Sequence, residues 1–548
     1  MRAPSARISR VVSQVWKLSL PIVAANLLQS LVNLVDVFLA GRLGPIEIAG
    51  VGLSNSIFML VLVGVMAVTT GAMSLAALAR GAGDEDELSR VAKQALSLGV
   101  LTAVLLSVLG FAFSEQLLSF LNSDGDPRAV EIGTGYLRIM FAGTVFMVLN
   151  VTINALMQGA GDTVTPLKIS AVMNVLNIVF SALLMFGLGP IPAMGVMGIA
   201  LGTILSRVVA AAAGLWLFYS GRNVVRILQG SYWPDWDTYR QILSIGIPSG
   251  FQGVARNGAQ ILVVRIVTST AAGTYGATAL SIGLQIESLA FMPGLALSIA
   301  ATSLVGQALG AWQVDEARLR GNVSLAVGTL LMTAIGTVLF IFAPQLVLLF
   351  DPTAHPTVLE AGTSYLRINA LSQPILAVAM ILNGTLRGAG DTRAGMVGTI
   401  VGRWLVVVPV SWLLAFPMNM GVEGVWWALF IGTAVQASWV AFRWWSNVWP
   451  RVGLRKTRLY RLHLRHLPEH VQESFLNDVK APLMAAGDAQ ERVTDERVSY
   501  QLPEGKVVVE FGDGFTVVEG EELLHGANGR TGDAPEGPLH QAEDSTPA

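Results

Sequence analysis

The chain has 548 residues, 53% of them hydrophobic and 13% charged, with a net charge of −2 and a mean hydropathy of +0.59. A soluble domain carries roughly a quarter charged residues, so this composition requires lipid as the solvent, and its near-neutral charge gives no case for nucleic acid. Cys is absent, which removes disulfides, iron–sulfur clusters, thiolate zinc sites and cysteine nucleophiles, while the 57 glycines suit close helix packing in lipid.

The first ten residues, MRAPSARISR, are basic like the start of a signal peptide. The apolar stretch behind them is too long for such a leader and more spans follow, so it reads as an uncleaved first helix. About 20 mostly apolar residues cross a bilayer. Twelve segments qualify, beginning near Val15, Ile48, Ala92, Gly133, Ile169, Gly195, Ile242, Thr278, Val323, Gly362, Gly395 and Val422, and the last ends near Trp445. Connections are short except Ser220 to Arg240, which divides the chain. The expected architecture is an all-α integral membrane protein of two six-helix lobes around a central cavity. The lobes cover 1–219 and 242–448, a cytoplasmic linker covers 220–241, and a cytoplasmic tail covers 449–548.

Lys and Arg gather in cytoplasmic loops. Arg2, Arg7, Arg10 and Lys17, then Arg80, Arg90 and Lys93, then Arg222, Arg226 and Arg240 all fall on one side. Arg318, Arg320, Arg393, Arg451, Arg455, Lys456 and Arg458 follow on the same side, whereas the opposite loops offer little beyond Arg42 and Arg128. Both termini are therefore expected in the cytoplasm, with the bundle in the cell's inner membrane.

The halves repeat. Residues 135–163 include GYLRIMFAG and end NALMQGAGDT; residues 364–392 include SYLRINALS and end NGTLRGAGDT, at a constant shift of 229. GVMGIALGT at Gly195 also lines up with GVEGVWWAL at Gly421, and LSLP at Leu18 with the LSIGIP run at Leu243. YLRI and GAGDT are not low-complexity strings, so ordered matches along both halves argue duplication over shared apolar bias. An even number of spans per half makes this a parallel repeat, the plan of transporters that rock two lobes about a cavity. A receptor or an anchor has no need of it.

Ionisable and amide groups in hydrocarbon are costly and normally face a cavity or a partner. Helix 1 carries Asn26, Gln29, Asn33 and Asp36, whose spacings of 3, 4 and 3 share one face, expected to look into the N-terminal lobe. Asn150 with Asn154, and Asn174 with Asn177, present further amides at spacings of 4 and 3. A carboxylate in such a pocket takes up a proton when dry and gives it up to a bound cation. Asp36 can thus trade a proton for a cation, or hold Na+ with neighbouring amide and hydroxyl oxygens; the alternative is a structural Asp bonded to the next helix. Under the duplication Gln29 falls on Arg256, Asn33 on Gln260, Asp36 on Val263, Asn174 on Arg403 and Asn154 on Asn383. Helix 8 adds Glu287, and Arg207 and Arg265 also lie within spans. Arg256 or Arg403 with Glu287 either forms a buried ion pair that holds the C-terminal lobe or touches substrate directly. Pro21, Pro248, Pro293, Pro374 and Pro409 are the expected bend points of the spans.

In the tail, Arg451 to His470 is basic and is expected along anionic headgroups. His463, His466 and His470 can share a helical face but are expected to be solvated rather than metal-bound. KVVVEF-GDG-FTVVE reads as a β-hairpin about an Asp-Gly turn, and the chain from Gly526 is polar and expected to be disordered.

No HExxH, G-x-S-x-G or Walker A motif is present and all six His lie outside the spans, so the chain is expected not to be an enzyme or an ATP-driven pump. The stronger rival to an antiporter is a flippase or exporter of lipid-linked precursors on a related plan, which wants a basic cavity and draws on Arg207, Arg256 and Arg403.

VDVFLAGRLG at Val35, the QGAGDT and RGAGDT pair, FMPGLALSIAATSLVGQALGA at Phe291 and the duplication resemble the MATE (multidrug and toxic compound extrusion) transporters over roughly residues 10–448. The resemblance implies antiport: H+ or Na+ moves inward against small organic, often cationic, compounds moving outward, with no cofactor beyond the coupling ion. It matches the family's helix 1 acid to Asp36 and its partners to Gln29, Asn150, Asn154, Asn177 and Thr203. Where the archaeal-type site has a second Asp on helix 5, this chain has Ser181, and where the NorM-like branch has acids on helices 7 and 10 it has Arg256 and Leu376. The likeness is closer to the DinF-like branch, and the lost carboxylate tilts the expectation toward H+. The partners expected are a small organic substrate and the bilayer. A monomer is compatible with this plan, and nothing in the sequence sets an oligomeric state.

Overall fold

The structure, a computed structural model, describes residues 4–121, 126–187, 192–446 and 448–458, together with 460–464, 467, 472, 475, 480, 490–493, 497–502, 505–511 and 515–519. It divides into two compact units, Met1–Arg458 and Leu459–Ala548.

The first unit is helical. In its N-terminal half, α1 runs Pro4–Gly41, α2 Pro45–Ala82, α3 Glu85–Leu121, α4 Pro127–Ala142, α5 Thr144–Gly159, α6 Val164–Phe186 and α7 Val196–Tyr219. In the other half, α8 runs Trp236–Thr268, α9 Gly273–Gly310, α10 Val314–Ile341, α11 Ala343–Phe350 and α12 Pro356–Gly388. There follow α13 Thr392–Thr399, a π-helical stretch Ile400–Val407, α14 Val408–Ala415, α15 Gly421–Trp445 and α16 Trp449–Leu454. Ten spans among the described residues are long and apolar enough to cross a membrane, and the bent pair α4–α5 makes an eleventh. α8 supplies the twelfth: its 33 residues suffice in length, but Arg240, Arg256 and Arg265 with Gln252, Asn257 and Gln260 dilute its apolarity. The fold is thus the all-α membrane bundle that the hydropathy pattern anticipates.

Pro21, Pro248, Pro293 and Pro374 all sit inside continuous helices. A sharp break of 50° comes at Gly143, between α4 and α5. Pro409 lies just after the π-helical stretch. A proline ring clashes with the carbonyl four residues back, and a wider turn ahead of it makes room.

The halves meet at the end that carries the duplicated GAGDT turns. Ser303 Oγ and Gln307 Nε2 of α9 donate to the Gly159 carbonyl at 3.0 and 3.1 Å, and Ser74 Oγ of α2 donates to the Arg387 carbonyl at 2.5 Å. Arg7 pairs with Glu316 at 2.6 Å, tying α1 to α10. α2 lies so close to α8 that a Cβ on Gly246 would collide with the Ala67 carbonyl, and so close to α9 that one on Gly81 would collide with the backbone of Gln307. Glycine alone permits this approach.

The linker folds back over the N-terminal half. Leu228 N–H donates to Ser89 Oγ at 2.9 Å, Gln94 holds Trp233 O and Asp235 N–H, and Asn223 Nδ2 donates to Asp162 Oδ2 at 2.8 Å. Asp391, which the shift of 229 makes the copy of Asp162, is instead clamped by Arg443 Nε at 2.7 Å and is only 4% exposed. Breaking a buried charge pair costs more than losing a neutral amide bond. Asp391→Asn is therefore expected to lower unfolding stability by about 3 kcal/mol, and Asp162→Asn by about 1 kcal/mol. Thermal unfolding in detergent reads the difference, and equal shifts would contradict the asymmetry.

The helical unit extends past the expected boundary at 448 to Arg458. The reason is Trp449, which is buried, stacks on Trp444 at 4.3 Å and donates its indole N–H to the Trp444 carbonyl. In the second unit, β1 (Gln490–Val493), β2 (Arg497–Leu502), β3 (Gly505–Phe511) and β4 (Phe515–Glu519) form an antiparallel sheet in chain order. β3 and β4 pair from Phe511↔Phe515 outward, over the segments read as a hairpin. Two further strands precede them, so the element is a four-stranded meander. His463 is buried, not solvated. His466, His470, the Asp-Gly turn and the chain from Gly526 lie outside the described residues.

Candidate functional site

The polar side chains of the N-terminal half converge because α1 packs on α6, and α6 and α5 both pack on α7. Asp36 is half-buried near the C-terminal end of α1, and its Oδ1 is sealed from solvent with no hydrogen-bond partner. Its electrostatic neighbours are Arg207 on α7 and Tyr136 on α4. Asn177 Nδ2 donates to Thr203 Oγ1 at 3.0 Å, and the Thr203 hydroxyl donates in turn to the Ile199 carbonyl at 3.0 Å. Ser181 Oγ reaches the same carbonyl at 3.4 Å. Asn154 Nδ2 donates to Asn150 Oδ1 at 3.2 Å.

These bonds leave much unanswered. Asn26 Nδ2, Asn150 Nδ2, Asn154 Oδ1, both polar atoms of Asn174 and Asn177 Oδ1 are buried without partners. A buried polar group left unpaired costs about 1–3 kcal/mol, so a cluster of them is stable only where water, an ion or a ligand completes it. Asn33 behaves differently: it is exposed, and accepts from Gln29 Nε2 at 3.2 Å. α1 also packs on α9 of the other half, where Ser30 Oγ meets Met292 Sδ at 3.7 Å. The helix 1 stripe therefore lies along the boundary between the halves rather than wholly inside one lobe.

In the C-terminal half Glu287 accepts a hydrogen bond from the buried Tyr365 hydroxyl at 2.5 Å. Arg403 and Asn369 lie beside that tyrosine, and Arg256, which is exposed, faces both Arg403 and Glu287. Among the described residues neither arginine forms an ion pair with Glu287. Of the two readings of these residues, a buried Arg–Glu pair or direct contact with substrate, the pair gives way to a Tyr–Glu hydrogen bond with two cations nearby. Gln260 Nε2 is buried without a partner.

Tyr365 is the copy of Tyr136 at the shift of 229. Each half therefore sets one acid, one tyrosine at the repeated position and one arginine together: Asp36, Tyr136 and Arg207 in the first, Glu287, Tyr365 and Arg403 in the second. The acids come from non-equivalent helices, α1 and α9. Sequence reasoning missed both tyrosines, although each stands in the YLRI string that exposed the repeat. Among the described residues no group of three or more His, Asp or Glu side chains could hold a metal. A cation at Asp36 would meet one carboxylate and otherwise amide and hydroxyl oxygens.

Comparison with known proteins gives a consistent picture. A family model described as MatE matches residues 21–183 and 248–413, one segment in each half. The chain is 29% identical over 424 residues to a probable multidrug resistance protein NorM of Thermotoga maritima, covering 77% of this chain and 90% of that one. It is 30% identical over 445 residues to the multidrug resistance protein NorM of Burkholderia vietnamiensis, covering 80% and 94%. The fold resembles a MOP superfamily transporter from Pyrococcus furiosus whose binding pocket of reversed polarity suggests a different function. That match has a TM-score of 0.74 at 25% identity and covers 82% of this chain and 97% of the other. It equally resembles an outward-facing multidrug resistance MATE family transporter, with a TM-score of 0.74 at 25% identity, covering 81% and 99%.

Proposed function

Because the chain belongs to the MatE family, we propose that it is an antiporter that exports small organic, cationic or amphipathic compounds in exchange for H+ entering at Asp36. The carrying observation is the sealed, unbonded carboxylate oxygen of Asp36 beside Arg207 and Tyr136, within a half whose amides are left unpaired. A carboxylate so placed has two states of similar cost, protonated or paired with a cation, which is what coupling requires. With Ser181 where a second carboxylate would strengthen a Na+ site, the proton is the favoured ion. The departures at Arg256 and Leu376 support a place nearest the DinF-like branch. The basic loops at the GAGDT end support a cytoplasmic location for that end and for both termini. The contacts between the halves there support reading this arrangement as one closed at the GAGDT end.

Everted or reconstituted vesicles test this reading. An organic cation such as a fluorescent dye is expected to move against its gradient under an imposed proton gradient, and much more weakly under a sodium gradient. Transport driven by sodium alone would overturn proton coupling.

One observation favours a second reading. Arg256 is exposed and Arg403 lies beside it with only Glu287 between them in charge. Two cations to one acid suit an anionic, lipid-linked substrate. Failure of every organic cation under both gradients, with gradient-independent movement of a phospholipid-linked probe, would select this flippase reading.

A further inference from the structure

At the end of the bundle that carries the GAGDT turns, a cavity of about 400 Å³ opens between α8, α13, α15 and the segment after α16. It is remote from Asp36. Its polar lining is Arg393, Arg443, Lys456, Asp391 and Ser244, with Trp439 and Phe442 among the apolar lining. Arg443 is spent on Asp391 at 2.7 Å. Lys456 Nζ donates to Ser244 Oγ at 3.0 Å, and among the described residues neither Lys456 nor Arg393 forms an ion pair. Three cations thus share one space with a single carboxylate.

Among the described residues, the N-terminal half has no such arrangement at the matching turn. There the copy of Asp391 is Asp162, held by the neutral Asn223, and the copy of Arg393 is Val164. The duplication therefore isolates what one half has gained at an otherwise shared turn: a surplus of positive charge in an open cavity. That surplus has a cost, because burial, with Arg393 beside it, pushes Lys456 down to about 8 against the opposing pull of Asp391. A bound anion offsets this cost.

The rim says which anion. Phe442 is 66% exposed and Trp439 39% exposed, and the Trp439 ring is fixed by its indole N–H donating to the Ala394 carbonyl at 3.0 Å. Aromatic side chains at a membrane boundary sit at headgroup level, and basic pockets between spans take lipid phosphates. We propose that Arg393 and Lys456, with Arg443 behind them, form a binding site for the phosphate of an anionic glycerophospholipid whose glycerol and acyl carbons lie against Trp439 and Phe442. A free phosphate shares the charge but has no use for the aromatic rim.

Native mass spectrometry of the full chain in detergent, titrated with phosphatidylglycerol, phosphatidylcholine or inorganic phosphate, tests the site. The Arg393→Gln/Lys456→Gln variant spares the Asp391–Arg443 pair and should fold; its helical circular dichroism and thermal unfolding verify that. Phosphatidylglycerol is expected to bind the native chain and to lose roughly tenfold or more in affinity in the double variant, with phosphatidylcholine weak in both. Trp439→Ala is expected to weaken phosphatidylglycerol without affecting any binding of inorganic phosphate. Equal phosphatidylglycerol affinity in native and double-variant chains would overturn the proposal. So would phosphatidylcholine binding as tightly as phosphatidylglycerol, or inorganic phosphate displacing phosphatidylglycerol at equal concentration.

Discussion

Asp36→Asn is expected to leave the protein in the membrane at normal abundance while reducing gradient-driven export by about a hundredfold or more, a barrier change of about 3 kcal/mol. Asn keeps the shape and offers hydrogen bonds to the same unpaired amides, so substrate should still bind; what disappears is the group that can be charged or neutral. A structural explanation competes, because the substitution also takes the negative neighbour from the buried part of Arg207, and an uncompensated buried charge destabilises. The double variant Asp36→Asn/Arg207→Gln separates the two. If the single variant fails only because Arg207 is stranded, the double variant regains export. If Asp36 carries the proton, the double variant stays inactive although its thermal stability recovers. Full export by Asp36→Asn in vesicles would remove the coupling assignment altogether.

Much of this site was legible because its elements are local. Asn26, Gln29, Asn33 and Asp36 declare one helical face by spacing alone, and the pairs Asn150/Asn154 and Asn174/Asn177 do the same on their helices. Which faces meet is a tertiary fact that spacing does not encode. Tyr136 stands about a hundred residues from Asp36 and looks like any aromatic in an apolar span. The Asn177–Thr203 bond joins α6 to α7 across a turn, and only the family resemblance had put those residues together. Charge bookkeeping misled at Glu287: opposite charges on facing helices suggested an ion pair, yet the acid is held by a phenol whose neutral donor needs no desolvated cation. The break at Gly143 was not legible either, because no proline marks it and a lone glycine in an apolar span does not announce a bend. In the tail, β1 and β2 carry charged residues along QERV and RVSYQL, which blurs the alternation that revealed β3 and β4.

The seam between the halves makes the second large prediction. On the proposed antiport cycle the GAGDT end closes and reopens, and in the arrangement seen Gly246 lies directly on the Ala67 carbonyl. The smallest added side chain, Gly246→Ala, must push α8 from α2, and overpacking of this kind costs about 1–3 kcal/mol. Because that cost falls on the closed arrangement alone, it shifts the equilibrium about 5- to 150-fold toward opening at this end. Transport should fall correspondingly, since the cycle stalls on one side. The chain has no cysteine, so Ser303→Cys supplies a single reporter thiol at a seam position that is 1% exposed and contacts the opposite half through Gly159. A water-soluble maleimide is expected to label it slowly in the parent and many-fold faster with Gly246→Ala present. Gly202→Ala provides the control. A Cβ there strikes Ser181 within the N-terminal half, so it should lower stability yet leave the labelling rate of Ser303→Cys unchanged. If Gly246→Ala labels no faster than its parent and still transports, the close approach of α2 and α8 is packing common to both states, and the gate must lie elsewhere along the seam.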